Sequence, residues 1–113
     1  HIVDPTDLGT SVAFANGICN ASPRQIDAVH MPVVRSRTDD NYFKPLEDLS
    51  IPVGTKLILG LVHHTDGVEG GKTRIAAANK YVSDYDIATE CGFGRRDPVT
   101  IRELLQIHRD LCT

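Results

Sequence analysis

The sequence predicts an α/β fold in which parallel strands alternate with helices. Three apolar segments, at 26–34, 56–62 and 86–89, have the composition of strands, and helical patterns fill the intervals between them. The centres of these segments fall about 30 residues apart, which is the length of one strand–helix–strand unit. Alternation of this kind is typical of a parallel sheet with right-handed crossovers.

The strand segments differ in length and composition. The segment 26–34, with DAVHM at its centre, and the segment 56–62, KLILGLV, are near-continuous apolar runs. Runs of this kind favour strands that are buried on both faces. The third segment, 86–89, is the short run DIAT. A long and mostly polar connection, 35–52, joins the first two strands, and we expect a short helix within it at 43–49.

The first two helices are predicted from capping residues and apolar periodicity. Thr6 or Asp7 can cap a helix that runs to Asn20. Its expected buried face repeats at helical spacing and consists of Leu8, Val12, Ala15 and Cys19. A second helix is expected at 67–81, with an apolar side formed by Ile75, Ala78 and Val82.

The final helix has the clearest start signal. Asp97 is a typical N-cap and Pro98 suits the first helical position. Its expected buried stripe consists of Ile101, Leu104, Leu105, His108 and Leu111.

A sheet of only three parallel strands leaves two edges open, which is costly. We therefore expect a homo-oligomer or a completing chain.

Composition and charge exclude several function classes. The 113-residue chain has a formal net charge of −3 and is 41% hydrophobic, which is ordinary for one small globular domain. The negative charge gives no electrostatic basis for binding nucleic acid. No apolar run approaches the roughly 20 residues that span a membrane, and no signal or transit segment is evident. We expect neither a nucleic-acid partner nor a membrane partner.

The cysteine count indicates the compartment. The chain has three cysteines, Cys19, Cys91 and Cys112, and no C-x-x-C pair. An odd number without paired spacing argues against a disulfide-stapled secreted scaffold and favours a reducing, cytoplasmic location. The sequence also begins at His1 rather than at a methionine, so we expect a processed product or a piece of something longer.

The segment 87–98, IATECGFGRRDP, concentrates reactive side chains. Its short strand ends in Glu90 and Cys91, and glycines, arginines and a helix start follow. In parallel α/β proteins, ligands and catalytic groups collect at the carboxyl ends of strands. Cations and a helix N-terminus near Cys91 favour its thiolate, which can bind a metal or attack a substrate. The alternative is a buried, purely structural Cys91 beside a glycine-rich turn.

Further polar residues follow the other strands and are expected at the same edge of the sheet. The candidates near the three strand ends are His30, Arg35 and Arg37, then His63, His64 and Asp66, then Glu90, Cys91, Arg95 and Arg96. Zinc prefers His, Cys and carboxylate ligands, and a catalytic zinc keeps three of them and one open position. Cys91 and His30, with His63 or His64, provide such a set. His30 is alternatively an acid/base group.

The adjacent histidines and the following aspartate have expected roles in the same pocket. His63 and His64 point to opposite faces if the strand continues that far, so at most one of them faces the pocket. We place His30, His63 and His64 among the catalytic candidates. Asp66 orients a histidine or contacts substrate, or it caps the following helix.

The arginines indicate a small anionic substrate. Guanidinium groups bind carboxylates and phosphates in a bidentate way. The substrate-binding candidates are Arg35, Arg37, Asp66, Glu90, Arg95 and Arg96. The alternative is that some of these arginines pair with neighbouring acidic residues.

Two segments carry a family resemblance, GLVHHTDG at 60–67 and ATECGFGRR at 88–96. They resemble the end of the superfamily that contains cobalamin-independent methionine synthase and uroporphyrinogen decarboxylase. The resemblance implies that 1–113 is the carboxyl-terminal part of a methionine-synthase-like barrel domain. The implied fold is α/β, a partial (β/α)8 (TIM-type) barrel with its last three parallel strands and flanking helices.

The resemblance also implies a chemistry. In the methionine synthases a similar Cys-Gly segment ends the last strand, and that Cys binds a zinc ion that activates a thiol substrate for methyl transfer. By resemblance, Cys91 is a zinc ligand and the substrate is a thiol. The family's His-x-Cys pair is absent and would lie upstream of His1, and its acidic ligand is replaced by HMP at 30–32.

We therefore expect a zinc-dependent methyltransferase that acts on a thiol and whose site is incomplete in this chain. Two alternatives remain open. One is a metal-free decarboxylase or lyase of the same superfamily, with arginines that hold substrate carboxylates. The other is a non-catalytic fragment that associates through its open sheet edges.

Overall fold

The computed structural model describes residues 6–89 and 96–112, and it confirms the parallel α/β architecture. The elements in chain order are α1 (Gly9–Ala21), β1 (Ala28–Pro32), α2 (Asp40–Phe43), a 3-10 helix (Lys44–Asp48), β2 (Lys56–Val62), α3 (Gly67–Ala78), β3 (Asp86–Thr89) and α4 (Pro98–Cys112). The strands form one sheet in the order β1-β2-β3, and both pairs are parallel. None of the described helices combines the length and apolarity needed to cross a membrane.

The register of the sheet determines which side chains share a face. Met31 of β1 lies opposite Leu59 of β2, and Leu59 lies opposite Ile87 of β3. The β2–β3 register shifts between Leu59 and Val62. Because side chains alternate along a strand, Met31, Leu59 and Ile87 lie on the same face.

That face is covered by the helices and holds the hydrophobic core. Its strand residues Met31, Leu57 and Leu59 are at most 3% exposed. They form one cluster with apolar residues of the helices, among them Ala78 of α3 and Leu104 of α4. The sheet and its helices therefore make two layers around a single core.

The opposite face of the sheet, which we name the open face, lacks such a cover among residues 6–89 and 96–112. Gly60 on this face is buried, but five of its residues are exposed or half-buried and lie outside the core cluster: Ala28, His30, Ile58, Asp86 and Ala88. The prediction of burial on both faces is therefore wrong for β1, whereas the end of β2, from Leu59 to Val62, is buried at every residue. The physical reason is that the helices share one core on one side, so no described layer remains for the other side.

The first two elements begin later than predicted. β1 lies inside the predicted 26–34 and ends at Pro32. α1 begins at Gly9 after Leu8, which makes no side-chain cap bond. Asp7 still supports this start, because its Oδ1 accepts a hydrogen bond from the Gly9 N–H at 2.8 Å.

The middle helices have different bounds from those predicted. The helix expected at 43–49 is α2 followed by the 3-10 helix. α3 ends at Ala78 rather than at 81, because the N–H groups of Tyr81 and Val82 both donate to the Ala78 carbonyl oxygen, at 2.9 and 3.0 Å. These bonds close the helix and turn the chain towards β3.

The final helix, α4, has the predicted start, and its buried stripe differs from the prediction at Leu105. Asp97 Oδ1 accepts from the backbone N–H two residues later at 3.1 Å, and Pro98 is the first helical residue. Leu104 is 1% exposed as predicted, whereas Leu105 is 58% exposed. Ile107 packs against the core in its place, because it lies three positions after Leu104 and shares its face of the helix.

Candidate functional site

His30 lies on the open face and reaches across the sheet to β3. Its Nε2 donates to the carbonyl oxygen of Thr89 at 3.1 Å. The ring passes over Gly60 of the central strand, where an added Cβ would lie 2.8 Å from His30 Nε2 and 2.9 Å from Thr89 O. Glycine at this position therefore leaves the room that the imidazole needs to span the sheet.

This hydrogen bond determines which ring nitrogen carries the proton. A carbonyl oxygen only accepts, so Nε2 of His30 is the donor and Nδ1 of the neutral ring is an acceptor. Histidines that bind metals or act as general bases are commonly held in this way by a backbone carbonyl. Thr89 is followed in the sequence by Glu90 and Cys91. The imidazole of His30 thus lies beside the strand that leads, in the sequence, to Cys91.

The adjacent histidines have separate structural partners. His63 is 5% exposed, and its Nε2 donates to the Val33 carbonyl oxygen at 2.8 Å. His64 is half-buried, and its Nε2 contacts the carboxylate of Glu103 on α4. His63 therefore ties the end of β2 to the end of β1, and His64 ties the same loop to the final helix.

A buried arginine, which the sequence interpretation missed, joins the loops at the carboxyl edge of the sheet. Arg74 of α3 is 0% exposed, and its guanidinium binds the two carboxylate oxygens of Asp66 at 2.7 and 2.8 Å. Its Nε donates to Leu61 O at 2.6 Å and its Nη1 to Arg35 O at 3.0 Å. One side chain therefore connects β2, the loop after β1 and the start of α3.

Asp66 occupies the N-cap position of α3, but its carboxylate makes no cap bond. The hydrogen bond from the Arg74 guanidinium lowers the pKa of Asp66 below its ordinary value. The sequence contains a signal that could have predicted the Asp66–Arg74 ion pair. Arg74 lies on the helix face that also carries Gly71 and Ala78, which are buried, and a cation on a buried face requires an anionic partner within reach.

The arginines after β1 differ in their surroundings. Arg37 forms a two-pronged ion pair with Asp39, at 2.7 and 3.0 Å. Its hydrogen bond lowers the pKa of Asp39 to about 2. Arg35 is exposed, and its Nη1 donates to the neutral hydroxyl of Thr65 at 3.2 Å. Arg35 is therefore the arginine of this pair that is better placed to meet an anion.

The segment after β3 is only partly described. Three predicted site residues lie outside the described residues: Glu90, Cys91 and Arg95. Arg96 is described, and its Nε donates to Thr100 Oγ1 at 3.3 Å on the first turn of α4. The other two cysteines are described: Cys19 is half-buried and Cys112 is exposed.

The described side chains do not make up a metal site. Within 6–89 and 96–112, no three or more His, Cys, Asp or Glu side chains are arranged to hold a metal ion. The predicted histidines contact different parts of the chain, because His30 bonds to β3, His63 to the end of β1 and His64 to α4. The three histidines are therefore not brought together as the three protein ligands that a catalytic zinc requires.

Comparison with known proteins identifies no family. No family model matches this sequence, and neither the curated proteins nor the solved structures include a match. The resemblance to the methionine-synthase superfamily therefore stays a prediction.

Proposed function

We propose that this chain is part of an enzyme that transfers a methyl group to a thiol substrate, with its site at the carboxyl end of β3. The hydrogen bond between His30 Nε2 and Thr89 O carries the proposal. It holds an imidazole, with Nδ1 as acceptor, beside the strand that leads into Glu90 and Cys91 in the sequence.

In this site His30 serves as the acid/base group. Nδ1 takes the proton of the substrate thiol, because the thiolate rather than the thiol is the nucleophile. The thiolate sulfur bonds to the methyl carbon, and the bond from that carbon to the methyl donor breaks. The electron pair leaves with the donor, which recovers the proton from the imidazolium.

Cys91 is the metal ligand that the resemblance implies. The described side chains alone do not fit a zinc centre, so a metal there needs Cys91 together with donors that lie outside the described residues. Catalytic zinc requires three protein ligands. His30 is the alternative ligand, because Nε2 is held by Thr89 O and Nδ1 either binds the metal or accepts the thiol proton.

The sheet supports a barrel-type arrangement for the same site. Its strands are parallel and consecutive, and its helices share one core on one face. In a (β/α)8 barrel, helices cover the outer face of the strands, and the active site lies at their carboxyl ends. The open face with His30 and Gly60 corresponds to the inner face. Strands outside the described residues, from the remainder of a longer protein or from a completing chain, close it.

A second candidate function is a metal-free lyase or decarboxylase at the same edge. The exposed Arg35 guanidinium, beside the Thr65 hydroxyl at 3.2 Å, favours it. An arginine in this setting holds a substrate carboxylate in a bidentate way. Arg35→Lys keeps the positive charge and removes the planar guanidinium fork. If the protein contains no zinc and this variant loses catalytic turnover, the result supports the lyase.

Thiol reactivity tests the proposed site, because the chain contains its own reference cysteines. We expect Cys91 to react with a thiol reagent near neutral pH faster than Cys112, which is exposed, and faster than Cys19, which is half-buried. His30→Gln retains a donor for Thr89 O and removes the basic nitrogen. This variant should keep its fold and lose methyl transfer to small thiols.

Zinc content is measured in parallel by elemental analysis, with and without a chelator. Bound zinc shields Cys91, and the chelator should then restore its reactivity. If Cys91 is inert in both conditions, no zinc is found and no methylated thiol forms, the methyltransferase proposal fails. The metal-free lyase and the non-catalytic fragment are then the hypotheses that remain.

A further inference from the structure

The final helix, α4, carries a second apolar stripe beside the one that enters the core, and we name it the outer stripe. Successive residues of an α-helix turn by about 100°, so Ile101, Leu105, His108 and Cys112 lie along one line of the helix. Leu105 is 58% exposed, Cys112 is exposed, and the other two are half-buried. Burial lowers the pKa of His108, so its ring adds no charge to the stripe at neutral pH.

The outer stripe faces away from α3, the helix on which α4 packs. The side of α4 that meets α3 carries Ile107 and Leu111, because a Cβ added at Gly67 would lie 3.9 Å from the first and one added at Gly71 would lie 2.6 Å from the second. The outer stripe lies about 100° further round the helix. Its members belong neither to the core cluster nor to the partly buried residues packed against that cluster. Within the described ranges this side of α4 therefore contributes nothing to the core.

Two arginines border the outer stripe on its solvent side. Arg102 and Arg109 lie two turns apart, about 80° round the helix from the stripe, and both are exposed. Neither makes a hydrogen bond or an ion pair with any residue in 6–89 or 96–112. The acidic residues of the helix, Glu103 and Asp110, lie roughly opposite the stripe and have partners of their own. The charge along the border of the stripe is therefore positive.

We propose that the outer stripe binds an acidic amphipathic helix that is not part of this 113-residue sequence. Amphipathic helices dock through apolar anchors at the spacing that the outer stripe presents. Leu105 packs into the apolar stripe of the partner helix, and two carboxylates of that helix, two turns apart, meet the guanidinium groups of Arg102 and Arg109. Leu105 and Arg109 lie about two and three turns into α4, away from the connection that leads into it from β3.

The same charges argue against a second copy of the chain as the occupant. Antiparallel pairing of two α4 helices about a two-fold axis places the arginine side of one helix beside the arginine side of the other. Parallel pairing leaves the arginines beside the apolar border of the stripe. Of the other long helices, α1 has no acidic residue and α3 has only Glu69. Charge complementarity therefore selects a helix from outside this sequence.

This docking surface goes beyond the proposed function and does not depend on methyl transfer. It is compatible with the barrel-type arrangement proposed above, because the helices of a (β/α)8 barrel form a closed outer ring. In such a ring α4 has one neighbouring helix on the side of α3 and another on the side of the outer stripe. The surface itself uses neither His30 nor Cys91.

Two labelled synthetic peptides of about 18 residues serve as probes. Both form amphipathic helices with a stripe of leucines. Beside the leucines, one peptide carries two glutamates that lie two turns apart, and the other carries lysines at the same positions. Fluorescence anisotropy at low salt measures their dissociation constants for the whole chain. We expect the glutamate peptide to bind at least about tenfold more tightly, because two exposed charge pairs are attractive with one peptide and repulsive with the other.

Three variants test the residues of the surface. In the double variant with Arg102→Glu and Arg109→Glu the preference should reverse, so that the lysine peptide binds at least about tenfold more tightly than the glutamate peptide. Leu105→Ser should weaken binding of the glutamate peptide at least about tenfold, because it removes the apolar anchor. Val99→Ser is the matched control, since Val99 is 73% exposed on the opposite side of the same helix, and it should leave the dissociation constant unchanged. The altered side chains are exposed, so the far-UV circular dichroism spectrum should not change.

Several results overturn the proposal. The chain then binds both peptides equally, binds neither peptide up to millimolar concentration, or keeps its preference for the glutamate peptide after the charge exchange. The proposal also fails if sedimentation shows a dimer of the chain that Leu105→Ser dissociates. It fails equally if vesicles of phosphatidylserine and phosphatidylcholine, rather than the glutamate peptide, bind in a way that requires Leu105. Because no variant changes His30 or Cys91, failure here leaves the test of methyl transfer intact.

Discussion

The buried Arg74 predicts an unequal cost for removing the two members of its ion pair. The Arg74 side chain is 0% exposed and that of Asp66 is 36% exposed. If Asp66 is removed, a charged guanidinium is left in the interior. If Arg74 is removed, the carboxylate that remains can still be hydrated. Asp66→Ala should therefore destabilise the fold more than Arg74→Met does.

The contacts give the magnitudes. Removing one partner of a buried pair costs about 3–5 kcal/mol, and the partial exposure of Asp66 places Asp66→Ala at the lower end, about 3 kcal/mol. Asp66 makes no cap bond, so the substitution removes no helix cap. Arg74→Met keeps most of the apolar stem and loses the bonds to Leu61 O and Arg35 O. At about 1 kcal/mol each, that loss is about 2 kcal/mol.

Urea unfolding followed by circular dichroism measures these free energies. The double variant, with Asp66→Ala and Arg74→Met, should cost about the same as Arg74→Met alone, because it leaves no unpaired charge. Asp40→Ala is the matched control, since it removes an exposed pair with Lys80 and should cause no measurable change. If Asp66→Ala costs less than Arg74→Met, or if the two costs add, the reasoning is wrong.

Further predictions concern the glycines and the acid range. Gly60→Ala should destabilise the fold by about 1–3 kcal/mol in urea unfolding. Adding His30→Ala should restore only part of this lost stability, because the 2.9 Å contact between the added Cβ and Thr89 O involves the backbone. Complete restoration would contradict the geometry. Gly17→Ala, inside α1 with nothing within 4 Å of its added Cβ, should raise stability by about 0.5–1 kcal/mol, and a loss would refute it. The lowered pKa of Asp66 stabilises the fold fully above about pH 4, and this contribution is lost as pH falls through the folded-state value. The stability difference between the native chain and Asp66→Ala should therefore shrink on acidification, and a difference that grows below that pH would refute the assignment.

The sequence by itself determined the features that depend on local periodicity. The segments 56–62 and 86–89 became strands with the predicted bounds, and the spacing of about 30 residues gave adjacent parallel strands. The start of the last helix at Asp97 and Pro98 was equally readable. Capping and strand signals lie within a few neighbouring residues, so they can be interpreted without knowledge of the contacts between elements.

Only the tertiary structure decided where the polar side chains of the candidate site bind. Adjacent histidines, His63 and His64, look alike in the sequence, yet they bond to different elements, at Val33 and at Glu103. Each of these partners is about 30 or more residues away along the chain. No local pattern encodes such a pairing, because it follows from the positions of strands and helices after they pack.

The open face of the sheet also separates what the sequence determines from what the tertiary structure decides. The apolar runs correctly indicated strands, but hydrophobicity records only that a side chain benefits from burial, and not which layer buries it. In the described chain the helices lie on one side, which leaves Ile58 half-buried and His30 exposed. Whether a strand has one covered face or two is a property of the surrounding layers, so it is decided when the chain, and any partner, assembles around the sheet.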